Sequence, residues 1–326
     1  MKTPPSIDLN TLLQDLDSTY GIRAQAATFI PRGEMSWGYH VESTRSAAYF
    51  LKIYRETALP AWAARLTYRL HDVCQIEQVS HPLPARSGEF LSTLAGFQAA
   101  VFPFIEGQSL WEVPHHSRQE VFHRLGQLLA QIHRCRTLTS ECLRVERFEA
   151  WGLAEYQQVI EACSSPQALP GAAGEALNLL RPLKDRLANL LDDLLRCQQK
   201  ARQASFTHCI CHGDPTPGNI LVTPGGLPYL IDWDDTILAP RERDLVFWER
   251  DEVFFENESS SPVLEGYRNT AGDCDLNPDV IGFYRRQWTV GEIAAFSHRL
   301  LFESQDEAQN QSDLENLQEE LKWLWN

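Results

Sequence analysis

The hydrophobic repeat of this chain changes period at Pro103, and that change limits the folds open to it. Upstream, Ala24 to Ile30, Met35 to Val41, Ala47 to Tyr54 and Phe97 to Phe102 are strand-like runs. The stretches between the first three, Pro31-Arg32-Gly33 and Glu42-Ser43-Thr44-Arg45-Ser46, are turn-rich, so an antiparallel meander is the simplest reading. Downstream, apolar residues recur at helical spacing: Val121, Leu125, Leu128, Leu129 and Ile132, then Leu180, Leu183, Leu187, Leu190 and Leu194, and finally Leu314, Leu317, Leu321 and Leu324. The expectation is an α+β fold of two lobes, a small antiparallel β-rich lobe over 1–105 and a larger, mainly helical lobe over 106–326. Pro103-Phe104-Ile105-Glu106-Gly107 forms the hinge.

Smaller signals refine that outline. Ile7 to Leu16 reads as a short amphipathic helix, and Pro60 opens another through Leu70, proline being suited to a first helical turn. Ser117-Arg118-Gln119-Glu120 has the pattern of a capping box. Ile220 to Val222 and Tyr229 to Ile231 flank a Thr223-Pro224-Gly225-Gly226 turn and read as a hairpin. Ser304 to Ser312 is polar enough for a loop.

Composition excludes several classes of function. A net charge of −15 argues against nucleic acid or an anionic membrane as the main partner. No apolar run is long enough to span a bilayer, and the segment from Met1 to Ser6 lacks the apolar core of a secretory signal. The eight cysteines are scattered through helix- and strand-like segments, which suits reduced thiols in a cytoplasmic protein better than a disulfide framework.

Chemistry concentrates in His212-Gly213-Asp214-Pro215-Thr216-Pro217-Gly218-Asn219, followed by Ile231-Asp232-Trp233-Asp234. An H-x-D-x-x-x-x-N loop with a second aspartate at the end of the next hairpin is how kinase-like folds assemble a phosphoryl-transfer site. Asn219 offers a carbonyl oxygen and Asp232 a carboxylate, the hard ligands Mg²⁺ prefers. Asp214 is placed to orient an acceptor hydroxyl and take its proton, and His212 to brace the loop. A lone Asp in a Gly/Pro turn is usually a turn former. The ordered set beside apolar strands is not.

These residues resemble the aminoglycoside phosphotransferase family, within the wider protein-kinase-like fold, and the likeness covers nearly the whole chain. Leu238-Ala239-Pro240-Arg241-Glu242-Arg243-Asp244-Leu245, Phe102-Pro103-Phe104-Ile105 and Gly282-Phe283-Tyr284-Arg285-Arg286 are most similar to the branch that phosphorylates spectinomycin. The resemblance implies Asp214 as catalytic base, Asn219 and Asp232 as magnesium ligands, and adenine bound by backbone groups near Phe102 to Phe104. It implies Lys52 as the nucleotide-binding lysine of the third strand, where an ammonium among apolar neighbours needs an anion such as a phosphate. The alternative for Lys52 is an edge-strand lysine facing water. Pro31 to Gly38 sits where a phosphate-covering loop belongs, with Gly33, Ser36 and Gly38 as candidate contacts. Asp244 is implied to brace the catalytic loop, though a helix N-cap would also suit it.

The sequence departs from the family at one point: the helix after Lys52, Pro60 to Leu70, contains no acid. Glu56 and Asp72 flank it as candidate partners. The implied function is transfer of the γ-phosphoryl group of ATP, with Mg²⁺, to a hydroxyl of a small polar, cationic acceptor, an aminocyclitol or aminoglycoside such as spectinomycin. The alternatives are a metabolic kinase of choline, ethanolamine, homoserine or methylthioribose, and a nucleotide-binding pseudokinase. Protein substrate is not expected, because no activation segment ending in A-P-E follows Asp232-Trp233. Asp234, Asp235, Trp248, Glu249, Asp251 and Glu252 are candidates for a pocket that receives a cation, against the plainer reading of solvated helix faces and core tryptophan. Cys209 and Cys211 lack a second pair at zinc spacing and read as buried strand thiols.

Overall fold

Alternation along Ala48–Tyr54 divides its side chains between two layers, as a period of two requires. Leu51 and Ile53 enter one apolar cluster with Leu12, Leu16, Tyr39, Val41, Leu94 and Val101. Tyr54 enters another on the opposite face, with Ala63, Ala64, Ala100 and Phe102. Lys52 points to that second face.

The computed structural model describes residues 4–31, 36–55, 60–114, 117–166, 168–249, 261–303, 307–322 and 324. It divides into two compact units, one of residues 1–145 and 207–274, the other of residues 146–206 and 275–326. The expected lobe boundary at 105/106 falls inside the first unit.

In the first unit, α1 (Leu9–Tyr20) leads into β1 (Ala24–Ile30), β2 (Ser36–Ser43) and β3 (Ala48–Tyr54). Then come α2 (Ala61–Asp72), β4 (Ser92–Leu94) and β5 (Phe97–Pro103). The sheet is antiparallel in the order β1-β2-β3-β5-β4. Lys52 therefore lies on the central strand and is 7% exposed, not on an edge facing water. After β5 come β6 (Gln108–Ser109) and α3 (Arg118–Arg134). The chain returns to this unit with β7 (His208–Cys211), β8 (Ile220–Val222), β9 (Pro228–Leu230) and β10 (Ile237–Pro240). A helical turn, Glu242–Leu245, and helix Pro262–Ala271 follow. β6-β8-β9 form a three-stranded sheet and β7-β10 a ribbon.

Helix Pro262–Ala271 lies so close to α3 that glycine is obligatory at the contact. A Cβ on Gly126 would stand 1.9 Å from the Val263 carbonyl oxygen, and one on Gly266 would stand 1.9 Å from that of His123. The second unit is helical: Leu153–Ser164, Gly171–Leu180, Lys184–Gln203, Pro278–Phe302 and Glu307–Lys322. Arg299 grips the buried Asp313 with two hydrogen bonds, 2.8 and 2.6 Å, joining its last two helices.

Three expectations are corrected. Ser117 makes no side-chain cap bond, its backbone being already helical (φ −100°, ψ −5°) where a capping residue is extended. The capping box forms at Ser109 and Glu112 instead. The polar stretch read as a loop is helical from Glu307, its apolar stripe beginning only at Leu314. Cys74 and Cys135 form a disulfide with Cα atoms 6.4 Å apart, while the other six cysteines are free. No helix among the described residues is long and apolar enough to cross a membrane.

Candidate active site

The H-x-D loop leaves β7 and is held from behind by one carboxylate. Asp244 is fully buried and accepts from the backbone N–H of His212 and of Gly213, each at 2.8 Å. Its Oδ2 also meets His133 Nε2 at 3.0 Å. Burial disfavours the Asp244 charge, but the His133 hydrogen bond and the amides outweigh it and hold the carboxyl below its ordinary value. Asp244 is the third residue of its turn, whose N-cap is Arg241, so the N-cap alternative fails. Arg243 Nε adds a bond to the Gly213 carbonyl at 3.1 Å. Gly213 takes φ +93°, and a Cβ there would stand 2.2 Å from the Asp235 carbonyl oxygen, so the loop needs glycine at this point.

His212 has no exposed surface. Its Nε2 lies 2.9 Å from the Ile231 carbonyl and its Nδ1 accepts from the Asp214 N–H at 3.3 Å, which assigns the proton to Nε2. Burial lowers its pKa, favouring the neutral ring. Both nitrogens are thus engaged in bracing the loop against the β8–β9 hairpin. Asn219 donates Nδ2 to the Asp214 carbonyl (3.0 Å) and to Asp214 Oδ2 (2.8 Å), which leaves its own Oδ1 as the free acceptor. Ile231 N–H meets the Asn219 carbonyl at 3.0 Å and carries the hairpin one step past the Ile220–Leu230 pair. Asn219 and the chain entering Asp232 are thereby neighbours. Asp232 is left-handed, φ +62°, a conformation Asp tolerates better than most residues.

Lys52 Nζ reaches Asp232 Oδ1 at 2.7 Å and Asp234 Oδ2 at 2.9 Å. Burial works against its charge, yet the two carboxylates outweigh burial and raise its pKa. Asp232 is lowered, because Lys52 overcomes its burial; Asp234 is raised, by burial and by the neighbouring Asp232 charge. Lys52 is 9% exposed in its side chain, the carboxylates 46% and 40%, so the acids face an opening and the base sits beneath them. With Asn219 Oδ1 they make a set of hard oxygen donors, a chemistry that fits a divalent cation such as Mg²⁺.

The remaining candidates separate. Gly38 stands opposite Lys52 in the β2–β3 register and Ser36 opposite Tyr54, while Gly33 lies outside the described residues. A Cβ at Gly38 would stand 2.8 Å from the Phe50 ring, which gives this glycine a packing reason of its own. Phe102 is buried; Phe104 is partly exposed, and its N–H donates to the Ala48 carbonyl at 3.2 Å. Trp248 is fully buried against Phe122, a core residue and not a pocket wall. Asp251, Glu252 and Glu56 lie outside the described residues. Asp72 is exposed, and the partners found for Lys52 are Asp232 and Asp234. Cys209 and Cys211 are buried thiols, Sγ to Sγ 3.6 Å, and Cys209 is pulled down to about 6 by a hydrogen bond from Cys211.

Sequence reasoning missed the pairing of Asp234 with Lys52, and the roles of His133 and Arg144. Arg144 donates to the Asp234 carbonyl at 3.3 Å and approaches Asp235 Oδ1 at 3.5 Å. None of these has a local signal, since each partner is distant in sequence.

An antiparallel sheet carrying a buried lysine, joined to a braced H-x-D-x-x-x-x-N loop and a metal-competent aspartate, is the architecture of protein-kinase-like phosphotransferases. The phosphotransferase enzyme family (APH) matches residues 26–276, and the chain belongs to that family. It is a phosphotransferase. Protein StrN of Streptomyces griseus is 27% identical over 279 residues, covering 83% of this chain and 78% of that protein. Spectinomycin phosphotransferase APH(9)-Ia, solved with ADP and spectinomycin, superposes with a TM-score of 0.81 at 22% identity, covering 97% of this chain and 95% of that one. The amicoumacin kinase hAmiN, solved with AMP-PNP, Ca²⁺ and its antibiotic, gives a TM-score of 0.59 at 13% identity, covering 97% and 94%.

Proposed function

We propose that this chain transfers the γ-phosphoryl group of ATP to a hydroxyl of a small, polar, cationic acceptor, of the aminocyclitol or aminoglycoside class and of the spectinomycin type. The observation that carries this reading is the convergence of Asp214, Asn219, Asp232 and Lys52, drawn from three separate stretches of chain. Asp214, fixed through Asn219 and the Asp244 brace, orients the acceptor hydroxyl and takes its proton as the new P–O bond forms. Positioning contributes more than basicity, as an aspartate is a weak base. Lys52 exchanges its carboxylates for the phosphates of the nucleotide. Asn219 Oδ1 and Asp232 would hold Mg²⁺, which when bound neutralises phosphate charge. The peptide at Phe102 to Phe104 receives adenine, and Ser36 and Gly38 border the phosphates. The similarity of APH(9)-Ia, solved with spectinomycin, supports the acceptor class.

The test is nucleotide consumption by purified protein with Mg²⁺ and ATP, across spectinomycin, aminoglycosides, choline, ethanolamine, homoserine and methylthioribose, with Asp214→Ala as control. Spectinomycin-dependent ADP release that vanishes in Asp214→Ala is expected. Turnover with a cellular alcohol or sugar alone would replace the antibiotic acceptor with a metabolic one. ATP binding without turnover for any acceptor would overturn catalysis.

A further inference from the structure

Three side chains outside the set of oxygen donors meet behind the catalytic loop. Cys209 and Cys211 alternate along β7 and so share one face. They lie in a buried apolar cluster with Ile237 and Ala239. His133, from α3, brings a ring nitrogen and both sulfurs within 4.8 Å of one another, and all three residues are buried. We propose that His133, Cys209 and Cys211 form a binding site for one soft d¹⁰ cation of the Zn²⁺ type.

Ligand spacing supports this. Two thiolates about 2.3 Å from one tetrahedral ion stand about 3.8 Å apart; here the sulfurs are 3.6 Å apart. The histidine is prepared as metal-binding histidines are, with one nitrogen held by a carboxylate. Its Nε2 faces Asp244 Oδ2 at 3.0 Å, and a carboxylate only accepts, so Nε2 carries a proton. Burial disfavours the charged ring, but Cys209, Tyr267 and Asp244 outweigh it and raise its pKa, so a metal at Nδ1 takes the place of a proton there. The Tyr267 hydroxyl lies 3.0 Å from Nδ1. The sulfurs also contact backbone oxygens, Cys209 the Ala239 carbonyl at 3.4 Å and Cys211 those of Ala239 and Pro240 at 3.7 and 3.5 Å, and Cys209 hydrogen-bonds His133. Binding forms two metal–sulfur bonds and displaces two protons from the Cys209, Cys211 and His133 cluster to solvent, with no redox change. Soft thiolates in a dry site discriminate against Mg²⁺, which demands oxygen ligands and water. The site is therefore distinct from the oxygen donors at Asn219 and Asp232.

Native mass spectrometry of the full chain, incubated with Zn²⁺ until uptake stops and then passed through a column, tests the proposal. The expected product carries one zinc less two protons. Replacing Zn²⁺ by Co²⁺ should give thiolate-to-cobalt charge-transfer absorption. Cys209→Ser with Cys211→Ser should weaken Zn²⁺ by about 100-fold or more in competition with a chromophoric chelator. Cys74→Ser with Cys135→Ser, and Asp214→Ala, should leave it unchanged. Circular dichroism and ADP binding verify that the variants fold. Should Cys209→Ser/Cys211→Ser fail to fold, Cys211→Ala alone, expected to lose the charge-transfer band, serves in its place. No adduct on the wild-type chain, or an adduct that survives loss of the two thiols, overturns the proposal.

Discussion

Removal of the Asp244 carboxylate should loosen the loop that carries Asp214 by an amount that the contacts define. Asp244→Ala strips the acceptor from the His212 and Gly213 amides and from His133, at sites where Asp244 and His212 have no solvent exposure. A buried donor left unpaired costs about 1–3 kcal/mol, and breaking a buried charged pair about 3–5 kcal/mol. Water entering the vacated space offsets part of this, so a loss of about 3–5 kcal/mol is expected, a large share of a typical domain's total of roughly 5–15 kcal/mol. Asp244→Asn keeps the shape and one oxygen but turns an NH₂ toward one of the amides, and should cost about 2–3 kcal/mol. Urea titration gives the stability of each variant. Hydrogen exchange read by mass spectrometry over residues 208–219 locates the loss, because the amides of His212 and Gly213 should lose protection first. Turnover should fall more steeply than nucleotide affinity, as the loop positions the acceptor. If Asp244→Ala unfolds within about 0.5 kcal/mol of the wild-type chain and keeps protection over 208–219, the brace carries no energy and the reasoning fails.

Three further outcomes follow from other parts of the fold. Lys52→Met removes a charged donor worth about 1.5–3 kcal/mol, so the affinity for ADP measured by calorimetry should fall roughly 10- to 150-fold; unchanged affinity would disconnect Lys52 from the nucleotide. Gly126→Ala drives a methyl group into the Val263 carbonyl and should cost about 1–3 kcal/mol in urea titration; a neutral result would show that α3 and helix Pro262–Ala271 separate freely. His81 is held below its ordinary imidazole value because burial disfavours its charged form, with His71 stacked 4.0 Å away. The folded chain therefore binds that proton more weakly than the unfolded one. Stability is complete above about pH 6.5 and declines as pH falls from there through the lower folded value. Thermal unfolding at pH 7.5 and 5.5 should show a smaller acid loss in His81→Gln than in the wild-type chain, and an equal loss would refute the assignment.

Local pattern carried the strands and the loop furthest. The period-two runs at Ala24, Met35 and Ala47 end up within two residues of the bounds of β1, β2 and β3, because alternation and turn residues are set by the chain itself. The H-x-D-x-x-x-x-N spacing marked residues that do converge, since only four positions separate Asp214 from the Asn219 that hydrogen-bonds it. Choices between equivalent patterns were less legible: Ser109 and Ser117 each precede an acid by three residues, and only tertiary context gave the box to Ser109. Long-range partners left no trace at all. Nothing near Lys52 announces that Asp234 will meet it, and nothing near Cys209 announces His133, because such pairs arise from how distant elements stack.

The partners of Lys52 also set a timetable for the nascent chain. Asp232 follows the lysine by 180 residues. At about 5–20 residues per second, a ribosome needs roughly 10–40 s to deliver it. The five-stranded sheet can close long before then, since the last of its strands ends at Pro103. Throughout that interval the ammonium on its central strand has neither carboxylate to meet, and water or a cellular anion must serve as a temporary counter-charge. Completion of the site is therefore a late event in synthesis, governed by the arrival of the hairpin and not by the folding of the sheet that waits for it.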